Sequence, residues 1–263
     1  MPYDPTPAAA ALDEARSTGA ESSLPEAIRP QTIEQGVAVQ FARAQRAGAV
    51  PPAGYKIGAT TQRMQHYLGL DGPAAGYMLA ANLHASSARI PYASLRGPGA
   101  ECEIGLRLAR DIAPGPCTQA TALAAVGEIF AAIEIVENRY GTPPLGDLAR
   151  IGTPTLIADQ VYHRAAILGT AAPNWRDLDL AAIPGRVTID GLQRGAGHGS
   201  DLLGHPIAAL AWLAGSPTAA AFGGLKAGQV VMLGSVTPPI WLDRPCHISV
   251  AFDGLGEVAV TLT

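Results

Sequence analysis

The sequence predicts an α+β protein, a β-rich body behind a small helical N-terminal portion. Three observations carry that prediction. Residues 1 to about 50 hold Ala-rich and amphipathic helical patterns and stop at Pro51-Pro52-Ala53-Gly54. From Gly97 onward, short apolar runs bounded by turn residues dominate. Helices interrupt those runs irregularly, so the pattern is not the strict βαβ alternation of a doubly wound sheet. We therefore read residues 1–50 as the helical portion and residues 51–263 as the body, the two forming one functional unit.

Taken in order, Ala8 to Arg16 is an Ala-rich helix. Thr32-Ile33-Glu34-Gln35 opens a longer one through Val37, Val39, Phe41 and Ala42 to Ala47, bounded by Pro30 and Gly48. Tyr55-Lys56-Ile57-Gly58 is a short strand. Residues 60 to 68 are a short helix capped by Thr61 and ended by Gly69. Strands are expected at Glu101–Ala109, Ile129–Val136, Ala165–Leu168, Arg186–Ile189, Val230–Leu233, His247–Phe252 and Glu257–Leu262. Asp190-Gly191 and Asp253-Gly254 are hairpin turn signals. Helices interrupt at Thr118–Val126 and Pro206–Ala214, and Gly195–Asp201 reads as a glycine-rich loop beside a cleft.

With 263 residues and an apolar fraction of 48%, the chain can bury a substantial core. A formal charge of −4 without a basic cluster argues against a nucleic-acid partner. The first residues carry no basic start followed by a long apolar run, so no secretory signal is expected, and no apolar run is long enough to cross a membrane. Cys102, Cys117 and Cys246 cannot all pair, which suits a reducing compartment, the cytoplasm.

The chemistry concentrates between Gly97 and Tyr140. Strand alternation puts Glu101 and Glu103 on one face and Cys102 on the other. Two like charges about 7 Å apart on a buried strand face repel unless water or a cation relieves them. Glu134, inside the apolar run Ala131-Ala132-Ile133-Glu134-Ile135-Val136, is a third carboxylate where a lone one is costly. Three carboxylates with no nearby His or Cys pattern suit a hard cation, Mg²⁺ or Mn²⁺. The alternative is a wet sheet face for Glu101 and Glu103 and an edge for Glu134. Lys56, flanked by Tyr55 and Ile57, needs an anionic partner if buried, or else snorkels from a strand end. Arg139 either holds a substrate carboxylate or pairs with Glu137. Ser235, just after the strand VVML, either lines a pocket or caps. No phosphate loop, G-x-S-x-G elbow or Ser-His-Asp set is present.

Several motifs then fall in order: GYKIGAT, MQHYLGLDGPAAG, ECEIGLRLARDI, AAIEIVENR, IADQ, LLGHPIAALAWLA, LKAGQVVMLGS and GLGEVAV. From about Gly54 to the C-terminus the chain resembles the fumarylacetoacetate hydrolase superfamily, in the branch of 2-keto-4-pentenoate hydratases and 4-oxalocrotonate decarboxylases. The resemblance implies a mixed β-roll like the fumarylacetoacetase C-terminal domain. It implies Mg²⁺ or Mn²⁺ on Glu101, Glu103 and Glu134, with Lys56 and Glu103 in catalysis and Lys56, Arg139 and Ser235 toward the substrate. It implies a lyase of aromatic or related catabolism that adds water to a 2-hydroxy-2,4-dienoate, giving a 4-hydroxy-2-oxo acid. Decarboxylation of a 4-oxalocrotonate type, C–C hydrolysis of an acylpyruvate or fumarylpyruvate, and a non-catalytic metal-binding partner subunit are the alternatives. A homo-oligomer, or association with a related family subunit, is also implied. The chain departs from the family pattern at Ala74, where many hydratases carry an acidic residue, and at Asn138, Gln160 and Val236.

Overall fold

The computed structural model describes residues 2–141 and 151–263, apart from the side chain of Tyr67. Helix α1, Thr6–Thr18, stops at Gly19, whose φ of 73° turns the chain into the left-handed region. Helix α2, Ile33–Arg46, begins at Thr32, whose hydroxyl accepts from the Gln35 N–H. It buries Gly36, Val37, Gln40, Arg43 and Ala44, a stripe at helical spacing. A Cβ on Gly36 would meet the Pro154 carbonyl oxygen at 2.5 Å, so only glycine allows this close approach to a later helix.

The body follows as β1 (Gly54–Gly58), α3 (Gln62–Leu68), β2 (Ala74–Met78), β3 (Leu83–Ala85), β4 (Ala88–Ile90), β5 (Pro98–Leu108), α4 (Gln119–Ala125) and β6 (Val126–Glu137). Then come α5 (Thr153–Ala158), β7 (His163–Leu168), β8 (Pro184–Ile189), β9 (Leu192–His198), α6 (Pro206–Ala214) and α7 (Pro217–Ala221). Strands β10 (Val230–Ser235), β11 (Ile240–Trp241), β12 (Cys246–Phe252) and β13 (Gly256–Leu262) complete the chain.

One sheet runs β2-β1-β10-β5-β6-β7-β3, with β11 added on β5, and a second runs β4-β13-β12-β8-β9. The sheets are mixed: β1–β10, β3–β7 and β4–β13 pair in parallel, and β5–β6 is antiparallel over its length. On one face of β5 and β6, Cys102, Ile104, Ile133 and Ile135 enter the main core with Val250, Val258 and Val260 of the second sheet. Helix α6 adds Ile207, Leu210 and Leu213 to that core, each fully buried leucine contributing about 2 kcal/mol. The opposite face carries a smaller apolar cluster of Met78, Phe130, Ala132, Ala166, Val230 and Met232.

One strand goes beyond the expected elements, and one expectation is corrected. Ala74–Met78 is a strand, fully buried and paired antiparallel to β1. Two alanines and a glycine hide its alternation, and burial on both faces decides instead. The glycines of residues 195–197 are not a loop but lie in β9. They pass close to neighbouring chain, since a Cβ on Gly197 would sit 2.1 Å from the Val236 carbonyl oxygen. Among the described residues, no helix is long and apolar enough to cross a membrane.

Candidate metal centre

The second face of the large sheet is where the charges gather. In the β5–β6 ladder, Glu101 stands directly opposite Glu134, and Glu103 is opposite Ala132 on the same face. Glu103 and Glu134 are fully buried, and Glu101 keeps partial exposure. One carboxylate oxygen from each lies within 4.8 Å of the others. Any ligand must therefore enter from the Glu101 side.

Lys56 reaches the same point from β1. A flat sheet would hold β1 and β6 about 14 Å apart, three strand spacings. The long Lys56 and Glu134 side chains bridge that span, with Lys56 Nζ 3.4 Å from Glu134 Oε1. The β10–β5 register shifts between Met232 and Ser235, a bulge that bends the strand there. At that bulge Gly234, with φ of 107°, turns its N–H off the ladder to donate to Glu103 Oε2 at 3.0 Å.

Each buried carboxylate thus has one oxygen tied and one bare. Glu134 Oε1 meets Lys56 and His163 Nδ1, the latter at 2.8 Å, while Glu134 Oε2 has no partner. Glu103 Oε2 takes the Gly234 N–H, while Glu103 Oε1 has none. Burial, then the neighbouring carboxylates, push Glu101 up to about 8 and Glu103 well above the usual range. Burial also opposes ionisation of Glu134, but the Lys56 ammonium and the His163 hydrogen bond outweigh it and hold that carboxyl low. Burial would lower Lys56, yet the three carboxylates together raise it, so it carries its charge. If all three carboxylates were ionised, they would leave an excess of negative charge over the one ammonium in a dry site, and without a cation proton uptake by Glu101 and Glu103 relieves it. Bare buried oxygens and an all-oxygen donor set fit a hard divalent cation, which Glu101, Glu103 and Glu134 could hold.

The segment after α5 closes the site. Gln160, Val161 and Tyr162 take φ of 65°, 50° and 66°, three successive left-handed residues, one of them β-branched. Left-handed backbone costs an L-residue roughly 1–2 kcal/mol, so the surroundings must impose it. They do: Asp159, fully buried, accepts from Arg43 at 2.8 Å, Arg16 at 3.2 Å, Ser22 at 2.7 Å and Tyr140 at 3.2 Å. The Tyr162 carbonyl accepts from Glu137 N. The turn presents the Val161 carbonyl to Lys56 Nζ at 2.9 Å. A Cβ on Gly58 would lie 3.1 Å from Val161 Cγ1 and 3.3 Å from Lys56 Nζ, so a small residue is needed beneath the turn.

Of the residues predicted for the site, the structure gathers Lys56, Glu101, Glu103 and Glu134. Arg139, expected to hold substrate or pair with Glu137, takes the second of these roles and adds to it. Its buried guanidinium donates to the carbonyls of Ala15 and Ala20 and to Ser22 Oγ, and Glu137 lies 3.7 Å away. It fastens the helical portion to the end of β6. Ser235 lies beside Glu103 in register, but its hydroxyl donates to the Cys102 carbonyl and accepts from Cys102 N, tying β10 to β5. His163 was missed, and the expectation of no nearby histidine fails: the polar pair His163-Arg164 stood at the head of an apolar strand run and was left outside it. A cavity of about 670 Å³ is lined by Arg96, Asn138, Arg194, Trp241 and Arg244 rather than by the carboxylates.

Comparison with known proteins agrees with this geometry. Residues 59–263 match the model of the fumarylacetoacetate (FAA) hydrolase C-terminal family. The chain is 33% identical over 216 residues to the 2-keto-4-pentenoate hydratase of Burkholderia vietnamiensis, covering 80% of this chain and 78% of that one. It is 28% identical over 237 residues to the 2-hydroxyhexa-2,4-dienoate hydratase of Comamonas testosteroni, covering 88% and 87%. In fold it is similar to the 4-oxalocrotonate decarboxylase of Pseudomonas putida G7, complexed with magnesium and adipate. The TM-score is 0.85 and the identity 21%, over 98% of this chain and 97% of that one.

Proposed function

The chain belongs to the fumarylacetoacetate hydrolase family, and from that premise we propose that it is a divalent-metal-dependent hydratase. Its substrate is a small 2-hydroxy-2,4-dienoic acid and its product a 4-hydroxy-2-oxo acid. One observation carries the reading: three carboxylates on one sheet face, two with a bare buried oxygen, beside a buried ammonium.

Glu101, Glu103 and Glu134 would hold Mg²⁺ or Mn²⁺, and Lys56 faces them. The chemistry such an ion supplies when bound is Lewis-acid stabilisation of charge developing on the substrate's 2-oxygen. Lys56 Nζ spends two of its three N–H donors on Val161 and Glu134, leaving the third for the substrate carboxylate or for a proton in transit. Ketonisation moves the enol proton to the far carbon of the diene, and water then adds to the α,β-unsaturated ketone. With the apolar Ala74 where many hydratases of the family carry an acid, Lys56 takes the role of moving that proton. The sheltered face supports the scheme, because burial of Glu103 and Glu134 keeps bulk water off the reacting enol.

Free cysteines at 102, 117 and 246 support a cytoplasmic setting, and a homo-oligomer follows the family habit. The C–C hydrolase alternative asks for a His–Glu pair on the helix after β1. His66 on α3 is exposed, and the pair that the structure holds uses Glu134, itself one of the three carboxylates.

The test is turnover of 2-hydroxypenta-2,4-dienoate by purified protein, followed by product NMR, with and without EDTA. A chelator-sensitive rate giving the 4-hydroxy-2-oxo acid supports the reading. An EDTA-insensitive rate, release of CO₂ in place of hydration, or no turnover with metal restored refutes it.

A further inference from the structure

We propose that His163 is the positioning residue of this centre, its Nδ1–H holding Glu134 Oε1 so that Glu134 offers a divalent cation only Oε2. The inference rests on the metal-binding reading above.

Four observations converge on it. His163 is fully buried, and among the described residues its one side-chain partner is Glu134, at 2.8 Å. Its Nε2 has no partner among the described residues. A buried imidazole with an unsatisfied nitrogen is a stability penalty that a leucine of similar size would avoid, so the residue's polar content lies in the Nδ1 contact. The backbone that delivers it is pinned on both sides: His163 N donates to Gln160 O across the left-handed turn, and His163 O accepts from Arg16 at 3.1 Å. The β6–β7 register also shifts between Ile135 and Val136, which sets His163 opposite Val136 at the end of the ladder.

The donor assignment follows from the contact itself. A carboxylate that ligates a cation carries no proton and can only accept, so at 2.8 Å the proton between the two groups is the one on His163 Nδ1. Lys56 approaches the same oxygen at 3.4 Å. With two donors on Oε1, rotation of the carboxylate would cost both contacts, and Oε2 stays turned toward Glu101 and Glu103. A donor behind a ligating group, fixing its orientation, is the device by which proteins tune a metal site.

The experiment measures Mn²⁺ affinity of the full chain by loss of the free-ion EPR signal, independently of turnover. Wild type is compared with His163→Leu, which removes the donor, and His163→Asn, whose amide N–H takes the place of Nδ1–H. Loss of the donor is expected to weaken Mn²⁺ binding roughly 10- to 100-fold, with Asn recovering most of it. A purely structural histidine would lower the melting temperature of both variants and leave the affinity of folded protein unchanged, which overturns the inference. So does an Asn variant as weak as Leu. Should Leu fail to fold, ¹⁵N NMR of wild type decides: a neutral ring protonated at Nδ1 supports the assignment, and one protonated at Nε2 overturns it. Wild type that binds no Mn²⁺ sinks the metal reading itself, an outcome distinct from normal binding by wild type and His163→Leu alike.

Discussion

Replacing Glu103 by Gln should move stability in opposite directions with and without metal. The amide keeps an acceptor for the Gly234 N–H, held now at 3.0 Å, and matches the carboxylate in size. What it removes is charge. With ligand oxygens within 4.8 Å and an effective dielectric near 20, each ionised pair repels by about 3 kcal/mol. Proton uptake already relieves part of this, because burial and its neighbours push Glu101 up to about 8 and Glu103 well above its usual range. The gain left for Gln in metal-free protein is therefore about 1–2 kcal/mol. In a chain of this size that raises the melting temperature by roughly 2–8 °C. Magnesium at a hundredfold excess over Kd should stabilise wild type by about 2.7 kcal/mol and leave the variant unmoved. Thermal melts by circular dichroism, each in EDTA and in MgCl₂, read both effects. The account requires the order to reverse: Gln above wild type in EDTA, below it in magnesium, with turnover abolished. A Gln variant that is less stable in EDTA, or that still gains from magnesium, refutes the reasoning.

Three further outcomes follow from the same geometry. Between pH 4.5 and about 8 the folded chain keeps protons on Glu101 that the unfolded chain has released, so metal-free protein should lose stability as pH rises through that window. Saturating magnesium should flatten the decline, and a urea midpoint that climbs steadily over the same range in EDTA contradicts it. Asp159→Asn leaves the buried Arg43 with only the partly exposed Asp13 as charge partner and should cost about 3 kcal/mol, read as a lower urea midpoint; unchanged stability would mean the hub holds nothing. Burial opposes ionisation of Asp159, but Arg16 and Arg43 outweigh it, so its contribution persists above the usual aspartate range and disappears only in stronger acid. Lys56→Met should lower kcat by about 10²-fold or more while Mn²⁺ still binds, and full activity would remove Lys56 from the mechanism.

Much of this site was legible before the fold was known, for an identifiable reason. A strand has a period of two, so Glu-Cys-Glu must present two carboxylates to one side. Glu134 announced itself as a charge in an otherwise apolar run. What stayed hidden depends on pairing between distant segments. Nothing local says that Glu134 lands opposite Glu101, or that Lys56 reaches across two intervening strands to 3.4 Å. Strand β2 was missed because Ala74-Ala75-Gly76 carries no alternation. His163 was missed because a histidine at a strand start is unremarkable until its neighbours are known. For Arg139 the sequence named the neighbouring Glu137 as a partner, but the carbonyls that also hold it belong to Ala15 and Ala20, on and just after α1, and nothing near it in sequence points to them.

The most direct measurement is a crystal grown with Mn²⁺ and read by anomalous scattering. The account predicts one strong peak within roughly 2.0–2.2 Å of an oxygen from each of Glu101, Glu103 and Glu134, with Lys56 and His163 still on Glu134 Oε1. A map with no peak among these carboxylates, or with their side chains turned away from one another, would contradict it.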